Sequence, residues 1–323
     1  MWFGQKSKAA LVAACAFLGY SALKARSSSS EPDADYIARN GGHAFVLKSG
    51  RAVEYFIHGV PLESSKCIVV AIHGAQTTGN LFSIVDEWAK QHGVCIVAPT
   101  LPGYGLTPFP NREEGCSATG GYPLRLWVDD IHELLSTLHV QSFHMIGTSL
   151  GSVHAAALAS LYPQPLHVRN VMLFVAFSPY VSDVHDPLAG SILDPFGKMR
   201  NSPFLNAWTV KYLFRPLIFY TAPQTSDVHR ALKWMWEGMA CTASLIYQPW
   251  DFPWRDLATR GAAEKCRNVF IVSGKRDTAA PPQNQKILAR EIVGSELLEY
   301  DGEHADAIVR PSMMADYLTT LIK

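Results

Sequence analysis

The chain has 323 residues, 48% of them hydrophobic and 17% charged, with 28 basic and 28 acidic side chains that cancel to zero formal charge. So much apolar sequence buries a large core, in one big domain or two small ones. The charge balance, with no recurring basic stripe, speaks against a nucleic-acid partner.

The N-terminal segment stands apart from the rest of the chain. Residues 9–23 form a nearly uncharged apolar run, preceded by Lys6 and Lys8 and followed by Lys24 and Arg26. The run is shorter than the roughly 20 residues of a straight bilayer span, which flanking residues or a thin membrane can make up. It reads first as a single N-terminal membrane anchor. The absence of acidic residues before Glu31 and the serines Ser27 to Ser30 also suit a mitochondrial or plastid presequence. Secretion ranks third, because Gly19-Tyr20-Ser21 is a poor cleavage site. Residues 1–32 are therefore set aside as an anchor or targeting segment with its linker.

Beyond the linker, Phe45-Val46-Leu47 and Val53 to Ile57 alternate about Lys48-Ser49-Gly50-Arg51, which predicts a hairpin. Cys67 to Ile72 is a continuous apolar run of the buried parallel type and ends at His73-Gly74. Asn80 to Gln91 has helical spacing, with Leu81, Ile84, Val85 and Trp88 on one face, and Val94 to Ala98 is the next buried strand. Tyr122 to Leu138 carries Leu124, Trp127, Val128, Ile131, Leu134, Leu135 and Leu138 at a period of three to four, a second helix. A strand at Phe143, a helix to about Tyr162 and a strand over Asn170 to Val175 come next. The last elements are strands at Val269 to Val272 and Leu297 to Tyr300, a helix between them from Pro282 to about Ile292, and a final helix to Leu321. Strands alternating with helices predict an α/β fold with a doubly wound, mostly parallel sheet.

Residues 178–256 break that alternation. They hold Phe196, Phe204, Trp208, Tyr212, Phe214, Phe219, Tyr220, Trp234, Trp236, Tyr247, Trp250, Phe252 and Trp254 with several prolines. The stretch is too long for a plain loop and reads as a helical cap over the sheet, with a core of 43–177 and 257–323. The alternative is a subdomain whose aromatics pack only on one another.

The six cysteines form no Cys-x-x-Cys pair and no zinc-ligand spacing, and Cys67 and Cys95 fall in buried strands, where a thiol is a small hydrophobe. With no Asn-x-Ser/Thr acceptor, this usage favours a reducing compartment. No metal and no cofactor is expected, since neither Gly-x-x-x-x-Gly-Lys nor Gly-x-Gly-x-x-Gly occurs in the right context.

The most informative stretch is Gly147-Thr148-Ser149-Leu150-Gly151, set between an apolar strand and the small-residue run Val153 to Leu158. In a strand–turn–helix setting, Gly-x-Ser-x-Gly lifts a serine hydroxyl off the top of a sheet. Alone, the pattern also fits an ordinary turn with Ser149 as helix cap. Context decides, because function in open α/β sheets collects at the carboxyl ends of strands. Three other strand ends carry suggestive residues: His73-Gly74-Ala75, Asp277 after Val272-Ser273-Gly274, and His304 after Tyr300.

The order Ser149, Asp277, His304 is that of the α/β-hydrolase arrangement. From about residue 43 to 323 the chain resembles an α/β-hydrolase fold serine hydrolase of the esterase–lipase type. Pro102-Gly103-Tyr104-Gly105-Leu106-Thr107 is similar to that family's glycine loop after the fourth strand, and Asp277 to Pro281 to its acid loop. The resemblance implies Ser149 as nucleophile, His304 as base, Asp277 as the acid that orients it, and the Leu150 and Ala75 N–H groups as oxyanion hole. It implies that His73 braces its turn, and it leaves the remaining histidines between His58 and His229 structural or solvated. Asp301 and Asp306 lie too near His304 in sequence to orient its ring. Glu303 departs from the family, which often has glycine there.

Serine rather than aspartate at the elbow argues against dehalogenase and epoxide hydrolase chemistry and for an acyl-enzyme on an ester, a thioester or an amide. The aromatic insertion suggests a small apolar ester-type substrate. Two alternatives stay open: a slow or non-catalytic ligand receptor on the same fold, and a cofactor-free peroxidase or carbon–carbon bond hydrolase with the same triad.

Overall fold

The computed structural model describes residues 33–75, 77–110, 123–161, 167–179, 187, 189, 191, 245, 250–258 and 268–323. Eight strands form one sheet in the order β1-β2-β4-β3-β5-β6-β7-β8. They are β1 (Gly42–Val46), β2 (Ala52–Gly59), β3 (Cys67–Ile72), β4 (Val94–Pro99), β5 (Ser142–Thr148), β6 (His167–Phe174), β7 (Val269–Gly274) and β8 (Ser295–Tyr300). The β1–β2 and β2–β4 pairs are antiparallel and all later pairs are parallel, so β3 to β8 share one carboxyl edge.

The strand runs without polar breaks are buried on both faces, as their composition requires. The exception is the start of β3, where Cys67, expected to be buried, and Ile68 are half-buried because they lie at the strand's entry. In β3, Val70 and Ile72 join one core layer while Val69 and Ala71 join the other, and β7 divides Val269 and Ile271 from Phe270 and Val272 in the same way. The first layer is filled by α3 (Leu124–Thr137) and α4 (Gly151–Leu161), the second by α2 (Asp86–His92) and α7 (Pro311–Leu321). The α3 period holds from Leu124 to Leu135, all six of its stripe residues being buried. The remaining helices are α1 (Asp33–Arg39), α5 (Pro282–Glu291) and α6 (Asp306–Val309).

Three local differences from the sequence pattern have physical reasons. The helix expected over residues 80–91 is a 3₁₀ segment, Gly79–Val85, that becomes α-helical only at Asp86. Its buried side chains are Phe82, Val85 and Ala89, one step round from the expected face, with Leu81, Ile84 and Trp88 half-buried. Tighter winding shifts the face, and Gly79 allows it because any Cβ there would lie 2.0 Å from the Ala98 carbonyl oxygen. The linker runs into α1, whose Tyr36 hydroxyl accepts a bond from Asn80 Nδ2 at 2.8 Å. Alternation also fails in β2, where Glu54 lies fully buried between Val53 and Tyr55.

Most of the expected cap, and all of residues 1–32, lie outside the described residues. Among the described ones, no helix is long and apolar enough to cross a membrane. Of the cap aromatics described, Trp250 stacks on Phe252 at 5.3 Å and meets Trp254 edge-on at 5.7 Å, all three buried in the first core layer. These three pack on one another.

Candidate active site

The Ser149 turn is built by what its neighbours lack. Strand β5 ends at Thr148, helix α4 begins at Gly151, and the residue between them that must reverse the chain, Ser149, takes φ 52°. That left-handed conformation is costly for a side-chain-bearing residue and is held by its surroundings. The Ser149 N–H donates to the Phe174 carbonyl of the adjacent β6 at 2.8 Å. A Cβ at Gly147 would stand 2.4 Å from the Gly151 carbonyl oxygen, and one at Gly151 2.4 Å from those of Ile72 and His73. Both glycines are therefore required for helix, strand and turn to approach this closely.

Two more strand ends bring the partners. Asp277 follows β7, its carboxylate fully buried, and Oδ1 accepts the N–H groups of Ala279 at 2.9 Å and Ala280 at 2.8 Å. Its other oxygen, Oδ2, lies 2.7 Å from His304 Nδ1. On the far side of the same ring, Nε2 lies 2.8 Å from Ser149 Oγ. The three residues named from the sequence thus meet in one line, hydroxyl to imidazole to carboxylate. With Nδ1–H donated to Asp277, Nε2 is left to accept the Ser149 hydroxyl proton.

The loop that carries His304 is fixed by its backbone. The Tyr300 hydroxyl donates to the Glu303 carbonyl at 2.7 Å, and the Glu303 N–H donates to Asp306 Oδ2 at 2.7 Å. Asp306 also takes Arg310 at 2.7 Å, and Asp301 pairs with Arg276 at 3.2 Å. Both carboxylates are spent on the loop and the surface, and Glu303 is exposed. The Phe177 ring lies 6.3 Å from that of His304.

The two residues expected to form the oxyanion hole border the same spot. Leu150 is buried at the start of α4, directly after the Ser149 turn. Ala75 follows Gly74, where a Cβ would come within 3.0 Å of Ser149 Cβ, so this turn lies against the serine. His73 braces it: the buried ring donates from Nδ1 to the Gly74 carbonyl at 2.6 Å and accepts the Leu101 N–H on Nε2 at 2.8 Å. Burial holds its pKa down to about 4, against the opposing pull of the Gly74 bond, so the ring stays neutral and rigid.

Sequence reasoning did not find Glu54, whose buried carboxylate accepts Thr100 Oγ1 at 2.9 Å and the Leu106 N–H at 3.0 Å. It thereby seats the glycine loop after β4, and Gly105, at φ 53°, leaves the room, since a Cβ there would come within 2.4 Å of the carboxylate. Its signal in the sequence was a lone acid in an apolar strand, which hairpin alternation masks. Among the described residues, no three His, Cys, Asp or Glu side chains converge as a metal site would need.

The family model for the alpha/beta hydrolase fold matches residues 68–311, well over half of the chain. The chain belongs to the α/β-hydrolase fold family. Its eight-stranded, mostly parallel sheet is typical of that fold. A 3-hydroxybutyrate-oligomer hydrolase from Cupriavidus necator is 29% identical over 136 residues, which span 42% of this chain and 41% of the relative's length. Among solved structures, this α/β hydrolase is similar to one described under carboxylesterases of Nitrososphaera gargenis, with TM-score 0.63, 19% identity and coverage of 87% of this chain and 97% of the other. It is also similar to an esterase from Exiguobacterium antarcticum, with TM-score 0.61, 16% identity and coverage of 86% and 98%.

Proposed function

We propose that this α/β hydrolase cleaves carboxylic esters, or thioesters, of small apolar substrates through an acyl-enzyme on Ser149. The observation that carries the reading is the His304 ring, bonded at 2.7 Å to Asp277 and at 2.8 Å to Ser149. A serine hydroxyl is a weak nucleophile at its own pKa, and this ring is placed to take its proton as Oγ bonds to the carbonyl carbon. Asp277 then stabilises the imidazolium, while the Leu150 and Ala75 N–H groups receive the oxyanion. Collapse expels the alcohol or thiol, protonated by His304 Nε2, and water attacks the acyl-serine by the same route in reverse. The esterase neighbours and the oligomer hydrolase relative support an ester bond as the target.

The test is direct. Purified wild type is expected to hydrolyse p-nitrophenyl butyrate and to label stoichiometrically with a fluorophosphonate at Ser149. A Ser149→Ala variant is expected to lose at least about 10⁴-fold in kcat/KM and all labelling. Wild-type rates in that variant would sink the reading, and a folded wild type that never labels would favour a receptor.

For residues 9–23 we propose a membrane anchor, on the strength of the apolar run and its basic flanks. Deleting residues 1–30 is expected to move the protein from the membrane pellet to the supernatant at unchanged specific activity. A truncated protein that still pellets overturns the anchor.

A further inference from the structure

Helix α5 begins with two polar side chains that face inward and take no part in the chemistry above. Asn284 is 1% exposed and Gln285 is fully buried. A buried carboxamide has two donors and two acceptor sites to satisfy, and those at a helix start usually find local partners. Asn284 instead reaches outward. Its Oδ1 accepts the Ser178 N–H at 3.1 Å and the Ser178 hydroxyl at 2.7 Å. Its Nδ2 donates to the Pro187 carbonyl at 2.9 Å and to that of Pro281 at 3.1 Å. Two donors at one end and two carbonyls at the other allow one orientation of the amide. Three of its four bonds leave the helix.

One of these bonds, to the Pro281 carbonyl, lands at the end of the loop that aims Asp277, and Ser191 and Gln285 hold the rest of that loop. The Ala279 and Ala280 N–H groups hold Asp277 Oδ1, and the carbonyls of the same two residues are held from behind. Ser191 Oγ donates to the Ala279 carbonyl at 2.6 Å, and Gln285 Nε2 to that of Ala280 at 3.3 Å. Gln285 Nε2 also donates to the Ala176 carbonyl at 2.7 Å, just past β6. The acid loop is thus pinned both to the β6 exit, through residues 176–178, and to Pro187 and Ser191 further along the inserted segment.

We propose that Asn284 is a positioning residue, which makes the aim of Asp277 at His304 depend on the contacts that Pro187 and Ser191 make with Asn284 and the acid loop. The proposal rests on the reading of Asp277 as the triad acid. A site of this kind needs its groups held within about 0.5 Å, and the shell behind them supplies that precision. Asn284 makes no bond to Ser149, Asp277 or His304 and reaches the acid loop through Pro281.

The experiment compares full-length wild type, Asn284→Ala and Ser191→Ala by hydrogen–deuterium exchange and by hydrolysis of p-nitrophenyl butyrate. In Asn284→Ala, amide exchange in a peptide spanning 277–281 is expected to rise at least about tenfold and kcat to fall about tenfold, with KM changed less than threefold. Ser191→Ala removes the bond to the Ala279 carbonyl and keeps the Asn284 side chain, so about threefold faster exchange in the same peptide is expected, and it decides alone where Asn284→Ala does not fold. Exchange at 277–281 unchanged in the folded variants overturns the proposal, as does faster exchange with kcat within twofold of wild type. Faster exchange in variants of a wild type that hydrolyses nothing supports the clamp and rejects the hydrolytic reading, so the two failures are distinct.

Discussion

Asp277→Asn is expected to lower kcat by roughly 10⁴-fold while leaving the fold and ester binding nearly unchanged, the scale of the same exchange in a Ser–His–Asp protease. The sign follows from the hydrogen bonds on each oxygen. The Oδ1 position faces two donors, the N–H groups of Ala279 and Ala280. An asparagine must put its carbonyl oxygen there, because an NH₂ would confront two N–H groups. Its NH₂ then faces His304 Nδ1, where the carboxylate had accepted the Nδ1–H hydrogen bond at 2.7 Å. The ring responds by moving its own proton to Nε2, which points at Ser149 Oγ from 2.8 Å. In that tautomer Nε2 donates to the serine and has no lone pair to take its proton. Fluorophosphonate labelling should slow in parallel with hydrolysis. A variant retaining a tenth of the wild-type kcat would show that Asp277 is not the orienting acid.

Acidification is expected to destabilise this protein steeply before its carboxylates titrate. Burial holds the pKa of His73 and His144 down to about 4 and that of His154 to about 3, with the neighbouring His73 adding to the shift of His154. In the unfolded chain each titrates near 6.5. Between these values the unfolded state binds protons that the folded state refuses, so stability falls as pH drops from about 6.5 towards about 4. At pH 5 each ring costs on the order of 2 kcal/mol, a sizeable fraction of a whole domain's stability of about 5–15 kcal/mol. Urea midpoints should therefore fall steeply between pH 7.5 and pH 5. His154, against the Trp127 ring at 4.9 Å, offers the control: a His154→Leu variant should show a shallower slope. Midpoints that stay level over this range would reject the account.

The α/β architecture was legible in the sequence, and three candidate site residues could be named there, because both rest on local signals. A buried parallel strand reads as an unbroken apolar run, as Val94 to Ala98 does, and an amphipathic helix reads as a period, as Leu124 to Leu135 does. The serine turn is legible for the same reason. Gly147 and Gly151 stand where any side chain would strike a neighbouring carbonyl, so the steric demand of a tertiary contact is written as two glycines around one serine. Asp277 and His304 could be named from their positions after strands and their order in the chain.

Local pattern in the chain thus dictates which elements form and which strand ends carry Ser149, Asp277 and His304. What holds those groups in place emerges only when the chain is folded. Glu54 and Gln285 are fully buried and Asn284 nearly so, yet each sits in a stretch whose periodicity predicts only a strand or a helix. Their partners come from far along the chain: Glu54 bonds Thr100 and Leu106, and Asn284 bonds Ser178 and Pro187. A hydrogen bond of this kind has no period and no fixed spacing, because it depends on which loops the sheet order brings side by side. Hydrophobic pattern is a property of neighbours in sequence, whereas polar satisfaction in a core is a property of neighbours in space.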